Sequence, residues 1–165
     1  AELADVPIVV TSTREEFHQS GEGFNAFGAT FIRCFGRFFG AKSAAARRNY
    51  IEAARTMDPG KLAGRFLSDA LIRRWVDDAC EHGPADIRQI EFCADTPLGH
   101  SYELETLFGE PTTHIGQLVY SYICSGQADW PTYRPGRNVL RASLSADTTT
   151  VVEDPLRSVR EAFNQ

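Results

Sequence analysis

Apolar residues near the start of the chain recur at the spacing of an α-helix. The segment between Gly23 and Gly40 carries six of them on one stripe, and these are Phe24, Phe27, Phe31, Cys34, Phe35 and Phe38. This spacing predicts an amphipathic helix whose aromatic stripe faces the protein core. Gly40 is expected to end the helix, because glycine readily adopts the left-handed conformation that follows many helix C-termini.

Capping signals predict three further helices. Residues 13–16 (Thr-Arg-Glu-Glu) match a capping box, so a short helix is expected there, ending near Gly21. Ser43 is placed to cap a second helix. Residues 58–59 (Asp-Pro) predict the start of a long helix, and residues 82–84 (His-Gly-Pro) predict its end.

After Pro84 the apolar period changes from helical to alternating. Strands are predicted in five segments, at 89–94, 102–106, 115–124, 139–145 and 148–153. The segment 115–124 is apolar on both faces, so it is expected to be the central strand. The last two segments predict a hairpin around residues 146–147, and residues 154–155 (Asp-Pro) predict a C-terminal helix.

Together these elements predict an α+β fold. N-terminal helices are expected to pack on one face of a C-terminal antiparallel sheet of four or five strands, followed by a short C-terminal helix. The 165 residues are enough for a self-contained core, and no repeat, low-complexity tract or linker divides them. Residues 1–165 are therefore predicted to form a single domain.

Composition and charge narrow the classes of function. Hydrophobic residues make up 42% and charged residues 24% of the chain, which is typical of globular proteins and excludes disordered or fibrous ones. The net charge of −5 argues against nucleic acid as a partner, because phosphate binding requires an excess of Lys and Arg. No run of about 18 uncharged apolar residues is present, so no transmembrane segment is expected.

The cysteine content bears on the cellular compartment. The chain has four cysteines, at Cys34, Cys80, Cys93 and Cys124. In an oxidising compartment they could form two disulfides, in any of three pairings. We therefore expect a secreted or periplasmic protein with disulfides, and the alternative is a cytoplasmic protein with four buried thiols. No cysteine or histidine spacing matches a zinc site, so no metal is expected.

A long connection between two predicted strands is the main candidate for function. Residues 125–138 are far more than a hairpin requires, and long connections in compact domains are often functional. Trp130, Tyr133, Arg134 and Arg137 are of the types that dominate binding hot spots, so we expect them to contact a protein partner. The structural alternative is that the two aromatic side chains fold back onto the core.

A thiol enzyme is the second hypothesis. Cys34 would act as nucleophile, His100 or His114 would take its proton, and Asp129 would orient the imidazole in a hydrolase or deamidase. The position of Cys34 in the middle of a phenylalanine stripe favours a core role, because a reactive thiolate is usually found at a helix N-terminus.

A pocket for a small apolar molecule is the third hypothesis. If the sheet curves over the aromatic stripe, its rings would line that pocket, and these are Phe24, Phe27, Phe31, Phe35 and Phe38. The same stripe, with Arg33 and Arg37 beside it, also fits a membrane interface. No nucleotide-binding glycine motif or metalloprotease motif occurs, so no cofactor is expected.

Overall fold

The computed structural model describes residues 7–57, 60–94 and 101–163. Tertiary contacts divide this part of the chain into two compact units. The sheet unit comprises residues 7–13, 78–94 and 101–155, and the helical unit comprises residues 14–57, 60–77 and 156–163. The prediction of a single domain over residues 1–165 is not tested by this division and stays a prediction.

The secondary structure agrees with the predicted α+β class. In chain order the α-helices are α1 (Gly28–Phe35), α2 (Ala44–Met57), α3 (Leu62–Ser68), α4 (Arg74–His82), α5 (Leu104–Phe108), α6 (His114–Ser125) and α7 (Arg157–Phe163). The strands are β1 (Val9–Thr13), β2 (Arg88–Cys93), β3 (Asn138–Ser143) and β4 (Thr148–Glu153). No helix of the described residues has both the length and the apolar character needed to cross a bilayer.

The sheet of the sheet unit is mixed, so the prediction of a wholly antiparallel sheet is wrong. Its strand order is β1-β2-β3-β4, in which β1, β2 and β3 are parallel and only β4 runs antiparallel to its neighbour. Long connections containing helices lead from β1 to β2 and from β2 to β3, which lets each strand run in the same direction. The predicted hairpin between β3 and β4 is confirmed.

Strand β1 ends at Thr13, the residue at which the sequence analysis predicts the first helix to begin. β-branched side chains dominate this strand and favour extended backbone. The hydroxyl of Thr13 donates a hydrogen bond to the Glu103 carboxylate at 2.8 Å instead of capping a helix. Residues 14–21 form successive turns, so the helix predicted from the capping box is wrong.

Two predicted strands, 102–106 and 115–124, are helical in the structure as α5 and α6. Helix α6 buries Ile115, Val119 and Tyr122, which follow the helical spacing of i, i+4 and i+7. The Thr113 side chain caps its N-terminus, and Gly126 ends it with a left-handed φ of 69°. The exposed apolar residues of α6 gave this segment the two-sided apolar pattern that resembles a central strand.

The helical unit has an aromatic core. The ring of Phe66 lies at its centre, 5.5 to 6.2 Å from the centroids of four other rings, which belong to Phe31, Phe39, Tyr50 and Phe163. Phe66 belongs to the long predicted helix, which is present over 62–82 as α3, a π-helical turn at Asp69–Arg73, and α4. The start predicted at 58–59 lies outside the described residues.

The predicted phenylalanine-rich helix is present as three consecutive helical segments. A 3₁₀ turn at Glu22–Phe27 leads into α1, and a second 3₁₀ turn at Gly36–Phe39 follows it. Gly40 ends the segment with a φ of 102°, as predicted. The expectation that the aromatic stripe forms core is wrong for most of its members, because only Phe31 is half-buried while Phe24, Phe27, Phe35 and Phe38 are exposed.

The structure contains no disulfide among the four cysteines, all of which lie in the described residues. Cys34 and Cys124 are exposed on helices, Cys80 is buried within α4, and Cys93 is partly buried at the end of β2. The two predicted disulfides are therefore absent. The prediction of a secreted or periplasmic location, which drew on them, stays a prediction.

Candidate functional site

One face of the sheet is apolar and is covered by helix α6. Thr11 of β1 pairs with Ile90 of β2, and Ile90 pairs with Leu140 of β3, so these side chains share a face. Ile90 and Leu140 pack against α6 in the core of the sheet unit. The opposite face carries both valines and polar residues, and there the carboxylate of Glu91 accepts hydrogen bonds from the guanidinium of its cross-strand partner Arg141.

An apolar pocket of about 320 Å³ lies in this unit between the sheet and helix α6. Its lining comes from strands β1 and β2, helices α5 and α6 and the loop after α6, namely Val9, Thr11, Ile90, Leu107, Phe108, Val119, Tyr122, Ile123 and Trp130. Phe108 and Ile123 are largely exposed, so they flank its opening. None of these nine lining residues, all within the described chain, carries a charge.

Two aromatic residues of the pocket lining each carry a buried polar atom. The Tyr122 hydroxyl and the Trp130 indole N–H have no hydrogen-bond partner among the described residues. Their rings pack together with a centroid distance of 5.5 Å. Leaving a buried polar group unsatisfied costs about 1 to 3 kcal/mol, so buried Tyr and Trp side chains usually have a partner for this group.

Helix α6, which forms one side of the pocket, is anchored from the β3–β4 turn. The Asp147 carboxylate accepts hydrogen bonds from the backbone amides of His114 at 2.7 Å and of Ile115 at 3.1 Å. These hydrogen bonds lower the pKa of Asp147 from its ordinary value. Thr113 accepts from the amide of Gly116, so three of the first amides of the helix are satisfied by side chains.

The aromatic residues of the loop after α6 lie in the interior. Trp130 is 5% and Tyr133 is 1% exposed, so neither side chain is presented to solvent. Trp130 joins the core beneath α6. The Tyr133 hydroxyl donates a hydrogen bond to Glu81 at 2.9 Å, at the end of α4.

The two arginines of the loop are tied to the same end of α4. Arg134 donates to the carbonyl oxygens of Gly83 and Pro84, and Arg137 forms an ion pair with Glu81. The hydrogen bond and charge of Glu81 raise the pKa of Arg137. These contacts stabilise the loop conformation, whereas contact with a protein partner stays a prediction.

The residues of the predicted thiol enzyme are distributed over both units. His114 and Asp129 line one cavity of about 210 Å³ beside α6 in the sheet unit. Cys34 is an exposed residue of the helical unit, and His100 lies outside the described residues. The structure therefore brings two of the four candidates together, and the enzyme hypothesis stays untested.

The helical unit encloses a cluster of charged side chains. The Asp69 carboxylate lies between the guanidinium groups of Arg65 and Arg73 and accepts a hydrogen bond from the Tyr50 hydroxyl at 2.6 Å. Burial acts to raise the pKa of Asp69, but the charges of Arg65 and Arg73 outweigh burial and hold it below its ordinary value. Burial, followed by the charge of Asp69, raises the pKa of Tyr50 well above its ordinary value. All four side chains are inaccessible to solvent, so the cluster is assigned to stability.

The phenylalanines predicted to line a pocket do not line the one described here. They belong to the helical unit, whereas the pocket lies in the sheet unit. Its residues Val9, Ile90 and Trp130 are far apart in sequence, and no local signal relates them. Within the described residues, no group of three His, Cys, Asp or Glu side chains is arranged to hold a metal ion.

Comparison with known proteins does not indicate a function for this chain. No protein family matches the sequence, and no curated protein matches it significantly. The function is therefore argued from the pocket and its residues.

Proposed function

We propose that this protein binds a small, largely apolar molecule in the pocket between the sheet and helix α6. The observation that carries the proposal is an apolar pocket of about 320 Å³ whose nine lining residues carry no charge. Ligand sites are typically concave and mostly apolar, with a few polar groups that orient the ligand. This pocket is mostly apolar, and Thr11 is a polar member of its lining.

The lining indicates the chemistry of the ligand. A cavity of about 150 Å³ is enough for benzene, so about twice that volume suits a two-ring compound or a short branched chain. Charged ligands are disfavoured, because an ion without a compensating charge is costly to transfer from water into an apolar site. A neutral, largely apolar molecule would therefore fit best.

A fluorescence titration with the neutral probe N-phenyl-1-naphthylamine tests the proposal. The protein is expected to increase probe fluorescence in a saturable way with one site. Ile123→Arg places a charge at the opening of the pocket, on a side chain that is already 65% exposed, so folding should be unchanged. This variant is expected to weaken probe binding by roughly tenfold, which corresponds to about 1.4 kcal/mol.

Tyr120→Arg is the matched control for this experiment. Tyr120 lies on the same helix and is 57% exposed, but it does not line the pocket. Its substitution is expected to leave probe affinity within about twofold of the unmodified protein. Equal effects of both substitutions, or no saturable binding at all, would contradict the proposal.

A further inference from the structure

Four large aromatic side chains are exposed on one segment of the helical unit. Phe24, Phe27, Phe35 and Phe38 are between 52% and 78% exposed. Phe31 lies among them, with its ring centroid 6.1 Å from that of Phe24 and 5.7 Å from that of Phe35. Single exposed apolar residues are common on protein surfaces, but a contiguous group usually marks an interaction site.

The packing of the segment directs these rings outward. Ile32, Gly28 and Gly36 are the buried positions of the segment. A Cβ atom at Gly36 would lie 2.7 Å from the Cδ of Arg47, so the segment packs closely against α2 on that side. The inward side is therefore occupied, and the four phenylalanines lie on the rest of the helix surface.

The charge around the phenylalanines is of one sign. Residues 23–51 contain five Lys or Arg and no Asp or Glu, although the chain as a whole has a net charge of −5. Arg33 and Arg37 are exposed on the same segment as the phenylalanines, and the Arg37 guanidinium lies 5.9 Å from the centroid of the Phe38 ring. Lys42 and Arg48 follow as exposed residues.

We propose that this surface, the Phe/Arg face formed by Phe24, Phe27, Phe35, Phe38, Arg33 and Arg37, docks on an anionic lipid membrane. Amphipathic helices that lie in a membrane interface combine bulky apolar residues with Lys and Arg. Phenylalanine rings have no polar group to satisfy, so they suit the apolar boundary below the headgroups. The guanidinium groups beside them would contact lipid phosphates, because basic residues are attracted to the negative surface of an anionic bilayer.

Flotation with lipid vesicles tests this docking. The full chain is expected to float with vesicles of phosphatidylcholine and phosphatidylserine and to bind vesicles of phosphatidylcholine alone at least about tenfold more weakly. Raising the salt concentration should weaken binding, because salt screens the attraction between arginines and lipid phosphates.

Two pairs of variants separate the aromatic and the basic contributions. The double substitution Phe27→Ser/Phe38→Ser should reduce binding by roughly tenfold or more, whereas Tyr102→Ser, at an exposed aromatic residue of the sheet unit, should not. Arg33→Glu/Arg37→Glu should abolish the preference for anionic vesicles, and Arg55→Glu, an exposed arginine of α2, should leave it. All the substituted side chains are exposed, so circular dichroism is expected to show unchanged folding.

Three results would overturn the proposal. The first is vesicle binding that is independent of phosphatidylserine or unchanged by the double substitutions. The second is a dimer in sedimentation analysis that Phe27→Ser/Phe38→Ser dissociates, because a second copy of the chain would then cover the face. The third is tight binding of single-stranded RNA that the same variants remove, which would assign the face to nucleic acid.

Discussion

The carboxylate of Asp147, in the turn between β3 and β4, accepts a hydrogen bond from the backbone amide of His114 at 2.7 Å. The two residues are 33 positions apart in sequence, and this contact anchors the N-terminus of helix α6 to the β3–β4 turn. Asp147 has a left-handed φ of 49°, a conformation that aspartate tolerates better than most residues. The anchor holds the helix that forms one side of the proposed pocket.

The first prediction concerns the charge of Asp147. Asp147→Asn preserves the side-chain shape and tolerates the left-handed backbone, but it removes the negative charge at the N-terminus of α6. The pKa of Asp147 is lowered in the folded protein, so its charge stabilises the fold above the carboxyl pKa of the unfolded chain. This contribution is lost as the pH falls through the folded-state pKa.

Thermal unfolding at neutral and at acidic pH checks this prediction. Asp147→Asn is expected to lower the melting temperature at pH 7, and the difference from the unmodified protein should shrink below about pH 4. The control is Asp129→Asn, at an exposed aspartate of the same unit, which should have little effect. A difference that is the same at both pH values would show that the charge of Asp147 is irrelevant.

The second prediction concerns Asp69 and the two arginines beside it. Asp69→Asn removes the carboxylate that forms ion pairs with the buried Arg65 and Arg73, so the free energy of unfolding should fall by about 3 to 5 kcal/mol. Urea denaturation at pH 7 measures this loss. Because the folded-state pKa of Asp69 is below the ordinary 3.8, the unmodified protein should lose this stabilisation as the pH falls below that value. A loss below about 1 kcal/mol at pH 7 would contradict the assigned role.

The third prediction concerns Tyr50, whose substitution should reduce the free energy of unfolding by less than that of Asp69. Tyr50→Phe removes one hydrogen bond to a charged carboxylate and should lower the free energy of unfolding by about 1.5 to 3 kcal/mol at pH 7. The pKa of Tyr50 is raised in the folded state, so its contribution is complete below the ordinary value of 10.0 and is lost as the pH rises above it. The difference in unfolding free energy between the unmodified protein and Tyr50→Phe should therefore shrink above about pH 10. A difference that grows there would contradict a raised pKa of Tyr50 in the folded state.

The fourth prediction compares two buried tyrosines of the sheet unit. Tyr133→Phe removes a hydrogen bond to the Glu81 carboxylate and should destabilise the protein by about 1.5 to 3 kcal/mol. Tyr122→Phe removes a hydroxyl that has no partner in the described chain, so it should be neutral or slightly stabilising. Chemical denaturation of both variants gives the comparison. Equal destabilisation by the two changes would mean that the Tyr122 hydroxyl is already satisfied.

The fifth prediction concerns a close backbone contact at Gly64. A Cβ atom there would lie 2.6 Å from the Cα of His18 and 2.9 Å from the carbonyl oxygen of Phe17. Gly64→Ala should therefore destabilise the protein by about 1 to 3 kcal/mol, although alanine normally favours a helix over glycine by about 1 kcal/mol. Gly23→Ala is the control, because nothing lies within 4 Å of its added methyl group and its effect should be small. Thermal melts of both variants check the contrast.

Local signals in the sequence predicted the elements that depend on neighbouring residues. Ser43 accepts a hydrogen bond from the amide of Ala46 at 3.3 Å, as its predicted capping role requires. Gly40 ends the helical segment before it with a left-handed φ, and the β3–β4 hairpin forms around residues 146–147. Each depends on interactions within a few residues, so sequence spacing is enough to predict it.

Helix α6 is an element that the local sequence pattern predicts wrongly, as a strand. Tyr120 and Ile123 are exposed although they are apolar, so the segment reproduces the two-sided apolar pattern of a buried strand. Thr113 and Gly126 were the signals that could have corrected the prediction, because one caps the helix and the other ends it. The hydrogen bonds from Asp147 to the same helix come from a residue that is distant in sequence.

By itself, the sequence determined the α+β class, most of the helices, the hairpin and the C-terminal helix, because these follow from apolar period and capping chemistry. Only the tertiary structure decided that β1 pairs in parallel with β2, that four phenylalanines lie on the surface, and that Val9, Ile90 and Trp130 share one pocket. The physical reason is that strand pairing and burial depend on contacts between distant segments. An alternating or helical pattern specifies which residues share a face, but it does not specify what covers that face.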